Sequence, residues 1–293
     1  MKHVYNDTFF DYINQSVHAS AKTLIATLFP MLNPKSVIDL GSGRGVWLAE
    51  WQQGGAKDVL GVDGDYVDQT RLAVDQSSFM AADLTIPLQL ERRFDLAQSL
   101  EVGEHLPLSA AETLVDSLTA ASDRVLFSAA VKGQGGEFYV NEQPLAFWQA
   151  LFEARGYKAY DCLRPYLKDD KIAAPWYRFN SILYLNDAGL AGLGEDVLKH
   201  AVPAGETVKD GGGIAWRLRK AIVSRLPRNT VTQIAKIRAA VIATSVRFRK
   251  SVKPAVAWTL PDQLKERVGP TGLALARSFG CAWLQYLACH FPT

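Results

Sequence analysis

Apolar positions in the first 190 residues fall into two rhythms that take turns along the chain. Ile13, Val17, Ala21, Leu24, Ile25 and Leu28 repeat at helical intervals, which predicts an amphipathic lead-in helix over 12–29. Short apolar runs of strand length follow at Ser36–Leu40, Asp58–Val62, Ser78–Ala81, Phe94–Ser99, Arg124–Ala129, Tyr157–Asp161 and Ser181–Leu185. Helical segments are expected between them near 46–53, 66–74, 109–122 and 144–155. Buried-looking strands alternating with helices predict an α/β fold with a doubly wound, mostly parallel seven-stranded sheet covered on both faces. The last two runs lack an intervening helix and are expected to form an antiparallel edge.

The pattern changes after residue 185. Residues 186–213 are rich in glycine and end in Gly211-Gly212-Gly213, which reads as a linker. Beyond it, 214–250 interleave basic and apolar residues, as in Trp216-Arg217-Leu218-Arg219-Lys220. The expected organisation is one α/β domain over 1–190, a linker over 191–213 and a basic, mainly helical appendage over 214–293.

Charge divides at the same place. From 211 onward there are 14 Lys and Arg against 2 Asp and Glu, whereas 1–210 hold 18 against 28, so the net charge of +2 conceals a basic and an acidic part. Three readings of 214–293 follow. The appendage packs on the acidic domain or on a second copy, it lies on an anionic membrane surface with Trp216, Phe248 and Trp258 among its charges, or it holds nucleic acid. No RNA-binding signature favours the last. Cys162, Cys281 and Cys289 form no CxxC pair, Asn6, Asp7 and Asp11 interrupt a secretory leader, and no run of about 20 apolar residues occurs. The expected location is cytoplasmic, with peripheral membrane contact through 214–293 as the variant.

Candidate chemistry begins at Val37-Ile38-Asp39-Leu40-Gly41-Ser42-Gly43-Arg44-Gly45, where an apolar strand enters three alternating glycines and a helix follows. Glycines there permit a tight turn and close approach of a ligand to the backbone, and the helix amides favour a negative group. A tight turn without a ligand is the plainer alternative. Further acids stand at successive strand ends: Asp63 after the second run, Asp83 after the third and Glu101 after the fourth. In open α/β sheets that carboxyl edge is where ligands bind.

The run IDLGSGRG, then GVDGD, AADLT and FDLAQSLEVGEHLP, resembles the motif series of class I S-adenosylmethionine (SAM) dependent methyltransferases over about residues 20–186. That resemblance implies a Rossmann-like fold and SAM as cofactor. It places the methionine end at Asp39, Gly41, Gly43 and Gly45, the ribose at Asp63 and the adenine at Asp83. Ser42, Gly64, Ala82, Leu84, Ser99 and Leu100 complete the expected donor site. A nicotinamide dehydrogenase is the competitor, but its G-x-G-x-x-G fingerprint is missed, because Val46 stands at the third glycine position.

Methyl transfer needs alignment of donor and acceptor, and a hydroxyl acceptor also needs a base. His105 is the best single candidate for the base by its ordinary titration range, with Glu101 and Glu104 shaping the acceptor site. A turn-capping or packing His105 is the plainer reading. The spacing Glu101-x-x-Glu104-His105 also resembles the E-x-x-E-H segment of ubiquinone-pathway O-methyltransferases and of small-RNA 3′-end 2′-O-methyltransferases. There it supplies metal ligands, which implies a divalent metal at Glu101, Glu104 and His105. The segment 132–144 is expected to wall the acceptor site. Its continuation, with WYRFN at 176–180, resembles a bacterial subgroup of polysaccharide-associated or uncharacterised methyltransferases and makes Tyr139, Asn141, Trp176, Tyr177 and Arg178 pocket candidates. The expected function is methyl transfer from SAM to a hydroxyl of a small molecule, sugar or lipid-linked precursor. The rivals are an RNA 2′-O-methyltransferase using the basic region, and a SAM-binding module without catalysis.

Overall fold

A computed structural model describes residues 7–227 and 229–235, with side chains from Val17 onward. The aromatic side chains of the N-terminal stretch (Tyr5, Phe9, Phe10 and Tyr12), which the sequence allows either to close over a cofactor or to pack on the sheet, lie outside what is described, as do Phe248 and Trp258. The helices are α1 (Asp7–Leu32), α2 (Val46–Gly54), α3 (Ala111–Ala121), α4 (Leu145–Glu153), α5 (Arg164–Leu167), α6 (Pro175–Asn180), α7 (Glu195–Leu198) and α8 (Ile214–Val223). The strands are β1 (Ser36–Leu40), β2 (Asp58–Asp63), β3 (Phe79–Ala81), β4 (Leu96–Leu100), β5 (Arg124–Ser128), β6 (Lys158–Tyr160) and β7 (Ile182–Leu185).

The seven strands form one sheet in the order β3-β2-β1-β4-β5-β7-β6. All pairings from β3 to β5 are parallel, and β7 runs antiparallel to both β5 and β6. Side chains alternate between two buried faces, as a strand's two-residue period requires. Val37, Leu96, Leu126, Leu183 and Leu185 meet α1 and α2 through Leu24, Leu28, Trp47 and Trp51. Ile38, Leu40, Ala97, Val125, Phe127, Ile182 and Tyr184 meet α3 and α4 through Leu114, Leu118, Trp148 and Phe152. The chain order reverses between β1 and β4, and the carboxyl edge there is the switch point where open α/β sheets bind ligands.

Two expectations are corrected. Residues 66–74 are not a helix: Gln69–Arg71 make a single 3₁₀ turn, and Gln76–Ser78 make a second. Asp68 accepts from the Thr70 amide and hydroxyl, and Asp75 accepts likewise from Ser77. These local side-chain bonds outcompete helical propagation in a segment with little apolar face. The loop is held on the glycine turn by Ala73 N–H donating to the Arg44 carbonyl at 2.8 Å.

Nor are residues 186–208 a free linker. Ala201 bridges to Tyr160 at the sheet edge, and Val202 N–H donates to Ala159 O at 2.9 Å. Val197 is fully buried, and Val208 N–H donates to Gln149 Oε1 at 2.7 Å. Glycine permitted sharp turns here, but the apolar residues between them bind the segment to the edge strand and cover its open hydrogen-bonding side. The compact unit consequently includes this segment.

Leu24 lies at the centre of the α1–α2 face with no exposed surface. Leu24→Ala is expected to lower unfolding free energy by about 2–5 kcal/mol in urea titration, the range for a buried leucine whose cavity cannot collapse. A change within about 0.5 kcal/mol would show that α1 does not hold this face.

Candidate active site

Gly41, Gly43 and Gly45 have φ of 91°, 54° and 77°, so the turn between β1 and α2 rests on left-handed backbone at alternate positions. The three glycines are not equivalent. A Cβ at Gly41 would lie 2.3 Å from Val102 Cγ2, and one at Gly45 would lie 3.0 Å from Val74 Cγ2. Gly41 is thus required for packing, and the contact it permits brings the 101–105 segment against the glycine turn. A Cβ at Gly43 would meet nothing within 4 Å. There the bare backbone faces open space, with the buried Ser42 Oγ beside it lacking a hydrogen-bond partner.

Asp63, at the end of β2, ties this turn. Its Oδ2 accepts from Gly43 N–H at 2.7 Å, and its Oδ1 accepts from Gly64 N–H at 2.7 Å and from the Tyr66 hydroxyl at 2.5 Å. Tyr66 was not anticipated. It lies across Gly64, where an added Cβ would come within 2.2 Å of its ring, and it remains 58% exposed. Asp39 is buried on the α1–α2 face in register with Gln98, whose Oε1 accepts from Trp51 Nε1–H at 2.7 Å. Burial pushes the Asp39 carboxyl up to about 7, with Gln98 opposing and Asp63 reinforcing the shift.

The other expected donor-site residues are placed as follows. Asp83 is exposed, and its Oδ1 accepts from the Thr85 amide and hydroxyl, which hold its carboxyl below the usual range. Ala82 N–H donates to the Asp63 carbonyl at 2.8 Å, and Leu84 is core. Ser99 Oγ–H donates to Leu40 O at 2.7 Å, and Leu100 closes β4 with its side chain buried.

Beside the glycine turn stands a carboxylate pair, Glu104 fully buried and Glu101 half-buried. Glu101 follows β4 in left-handed backbone with φ 58°, unusual for a branched-chain-free acid outside a turn and a mark of imposed conformation. Its Oε2 accepts from Gln134 Nε2–H at 2.6 Å, and Gln134 Oε1 accepts from Asn180 Nδ2–H at 2.7 Å. Glu104 is fully buried. Glu101 Oε1 and both oxygens of Glu104 are buried without a partner at close hydrogen-bond geometry, although the Ser128 and Asn180 side chains and the Glu104 and Ala130 amides lie near enough to oppose part of the burial effect. Two carboxylates so placed do not both ionise, and a proton kept on Glu104 and shared toward Glu101 resolves the pair. Burial accordingly lifts Glu101 to about 7, while burial and the Glu101 charge raise Glu104 further.

The expected acceptor wall joins this pair in part. Tyr139 stands edge-on to His105, with ring centroids 5.2 Å apart. Burial and the two glutamates push its hydroxyl well above the usual phenol range. Tyr177 packs edge-on to Trp47 at 5.1 Å, and burial followed by Glu101 raises it too. Asn141 acts by clamping: its Nδ2–H donates to Gly103 O at 3.2 Å, and its N–H to Glu104 O at 3.1 Å. Trp176 packs half-buried on the α1–α2 core. Arg178 is turned away, toward the Asp170 carbonyl and the Phe179 ring.

Gln134 and Asn180 were missed by sequence reasoning. Gln134 lay within the expected wall, but one glutamine among polar loop residues carries no spacing signal. The metal expectation is corrected: among the described residues no three His, Cys, Asp or Glu side chains converge to hold an ion. Glu104 is enclosed with Glu101, and His105 faces Tyr139, so the three are adjacent in sequence without forming one ligand set.

Residues 13–160, just over half of the chain, match the family model described as "Methyltransferase domain". The chain belongs to this family, the class I SAM-dependent methyltransferases. No curated protein matches the sequence. Among solved structures it is similar to Streptomyces venezuelae DesVI, at 13% identity over 61% of this chain and 96% of that one, with a TM-score of 0.47. It is also similar to the magnesium protoporphyrin IX methyltransferase (ChlM) of Synechocystis PCC 6803, solved with bound SAM, at 19% identity over 63% of this chain and 86% of that one, TM-score 0.45. A third is the methyltransferase domain of the bacterial protein CtHen1-C, at 21% identity over 58% and 98%, TM-score 0.43.

The raised acids give the fold a pH signature. The unfolded chain releases the Glu101 proton near 4.5, whereas the folded protein keeps it to about 7. Between these values the native state binds more protons, so stability falls as pH rises from about 4.5 to about 7. Urea midpoints measured across pH 4.5–8 should decline over that window, and Glu101→Gln should flatten the decline. A parallel pH dependence in protein and variant would contradict the buried-acid assignment.

Proposed function

We propose that the chain transfers a methyl group from SAM to a hydroxyl of a small-molecule acceptor, with Glu101 as the group that receives the proton. The observation carrying this reading is the packing of Val102 against Gly41, which sets a glycine turn open at Gly43 beside an acid pair with three buried oxygens that meet no hydrogen-bond partner at close geometry. Orphaned buried polar atoms are rare in folded proteins and concentrate at functional sites. These lie at the carboxyl edge of β1, β4 and β5.

In this reading the backbone at Gly41–Gly45 and the carboxylate of Asp39 back the methionine end of the donor, Asp63 takes the ribose, and Asp83 the adenine. Bound there, SAM supplies a methyl group made electrophilic by its sulfonium. Asp63 already accepts three hydrogen bonds, so the exposed Tyr66 must rotate out for ribose hydroxyls to take its place. Gln134 and Asn180 hold Glu101 toward the acceptor. Glu104 keeps a proton, which spares Glu101 a second negative neighbour. An acid titrating near 7 combines a deprotonated fraction at neutral pH with enough basicity to assist an acceptor hydroxyl. Tyr139, Tyr177 and His105 line the approach, where His105 orients the acceptor or assists as a second base.

Binding and chemistry separate by substitution. Gly43→Val meets no neighbour but forces a β-branched residue into left-handed backbone at φ 54°, so the variant should lose about 1–3 kcal/mol of stability, stay folded by circular dichroism and lose SAM uptake in calorimetry. Asp63→Ala should weaken SAM binding by about 2 kcal/mol, and Tyr66→Phe should leave it equal or tighter. Normal SAM uptake by a folded Gly43→Val protein would remove the donor site from this edge.

Turnover should rise with pH through about 7. Glu101→Gln should lose roughly 10²–10⁴-fold of it together with that limb, the range for a general base. If His105→Ala abolishes the limb and Glu101→Gln retains it, the base is His105.

A further inference from the structure

Helix α8 is inside out. A helix on a soluble protein normally buries its apolar stripe and exposes its charges. Here the inward face carries Trp216, Arg219, Lys220 and Val223. Lys220 is 8% exposed and its ammonium donates to Asp210 Oδ2 at 2.6 Å. Arg219 Nη1–H donates to the Gln134 carbonyl at 2.7 Å, and its guanidinium lies 5.1 Å from the Trp216 ring. Trp216 stands against Phe179, with centroids 5.6 Å apart. The approach is close: a Cβ at Gly133 would lie 2.3 Å from the Lys220 carbonyl. The helix is therefore fixed in rotation by two cations and an indole.

Its outward face is what this fixing presents. Ile214, Leu218 and Ile222, spaced by four, are 84%, 60% and 55% exposed, with Ala215 and Ala221 exposed between them. Leu226 continues the line beyond the helix end. Arg217 and Arg225 are exposed on the same side. Scattered exposed aliphatics need no explanation, but a stripe held outward by inward-facing cations does.

We infer that α8 is a docking surface for an anionic lipid bilayer. Charge selects this occupant. The stripe is flanked by arginines, and the sequence from 211 onward carries 14 Lys and Arg against 2 Asp and Glu. Aliphatic side chains enter the headgroup–acyl boundary while cations meet anionic headgroups, which is how an interfacial helix binds. No described helix is long and apolar enough to cross a membrane, so the contact is lateral. The surface stands independently of the methyl-transfer reading, since none of its outward residues belongs to the candidate active site.

The test is co-sedimentation of the full chain with vesicles of phosphatidylcholine alone or of phosphatidylcholine with phosphatidylglycerol, at low and high salt. Binding is expected to the mixed vesicles only and to weaken with salt. Leu218→Glu/Ile222→Glu and Arg217→Gln/Arg225→Gln should each reduce it by about tenfold or more. These positions are exposed, so circular dichroism and calorimetric SAM uptake should be unchanged. No binding to mixed vesicles, or equal binding by the Leu218→Glu/Ile222→Glu variant, overturns the inference. So does conversion of a dimer to a monomer by that variant with vesicle binding retained, which would assign the stripe to a second copy.

Discussion

The bond from Gln134 to Glu101 is the constraint around which the candidate site is arranged. A carboxylate inside a protein needs a donor, and the Gln134 amide supplies one to Glu101 Oε2 at 2.6 Å. That amide is itself oriented from α6 by Asn180 and from α8 by the Arg219 contact to its backbone. Elements separated by more than 80 residues thus converge on one side chain. The loop between β5 and α4 is irregular because it must deliver this glutamine and then Tyr139, not because it is loose.

The glycine turn and the acid pair are coupled by shape. Gly41 has no side chain, and Val102 fills the resulting space, so the two halves of the site meet through van der Waals contact one residue away from Glu101. On the other side of the turn, Asp63 joins two strand ends through Gly43 and Gly64. The turn is consequently held from both flanks before any ligand arrives, which is the preorganisation that positioning chemistry requires.

Much of this was legible in the sequence. The seven apolar runs became seven strands within one or two residues, because buried parallel strands leave uninterrupted apolar segments. Asp63 and Glu101 stand out as acids at strand ends, Gly43 by the alternating glycines after β1, and Asp39 by the resemblance to the methyltransferase motif series. What stayed hidden depends on three-dimensional partners. The residues after β2 looked helical until Asp68 and Asp75 captured their own neighbours. Glycine content suggested a linker where Val197 and Val208 anchor the chain. Gln134, Asn180 and Tyr66 matter through side chains they meet at a distance, and no periodicity records that. Likewise the alternation of basic and apolar residues in 214–223 was plain, but which face turns outward was not.

The left-handed backbone of Glu101 carries a consequence for how this position evolves. Such a conformation costs a non-glycine residue on the order of 1–3 kcal/mol, which glycine would recover at once. Glycine would relieve that strain only by removing the carboxylate that the Gln134 amide holds. Glutamate at this position therefore sets backbone strain against the hydrogen bond it accepts, and a variant relieved of that strain would be expected to keep the sheet while releasing Gln134.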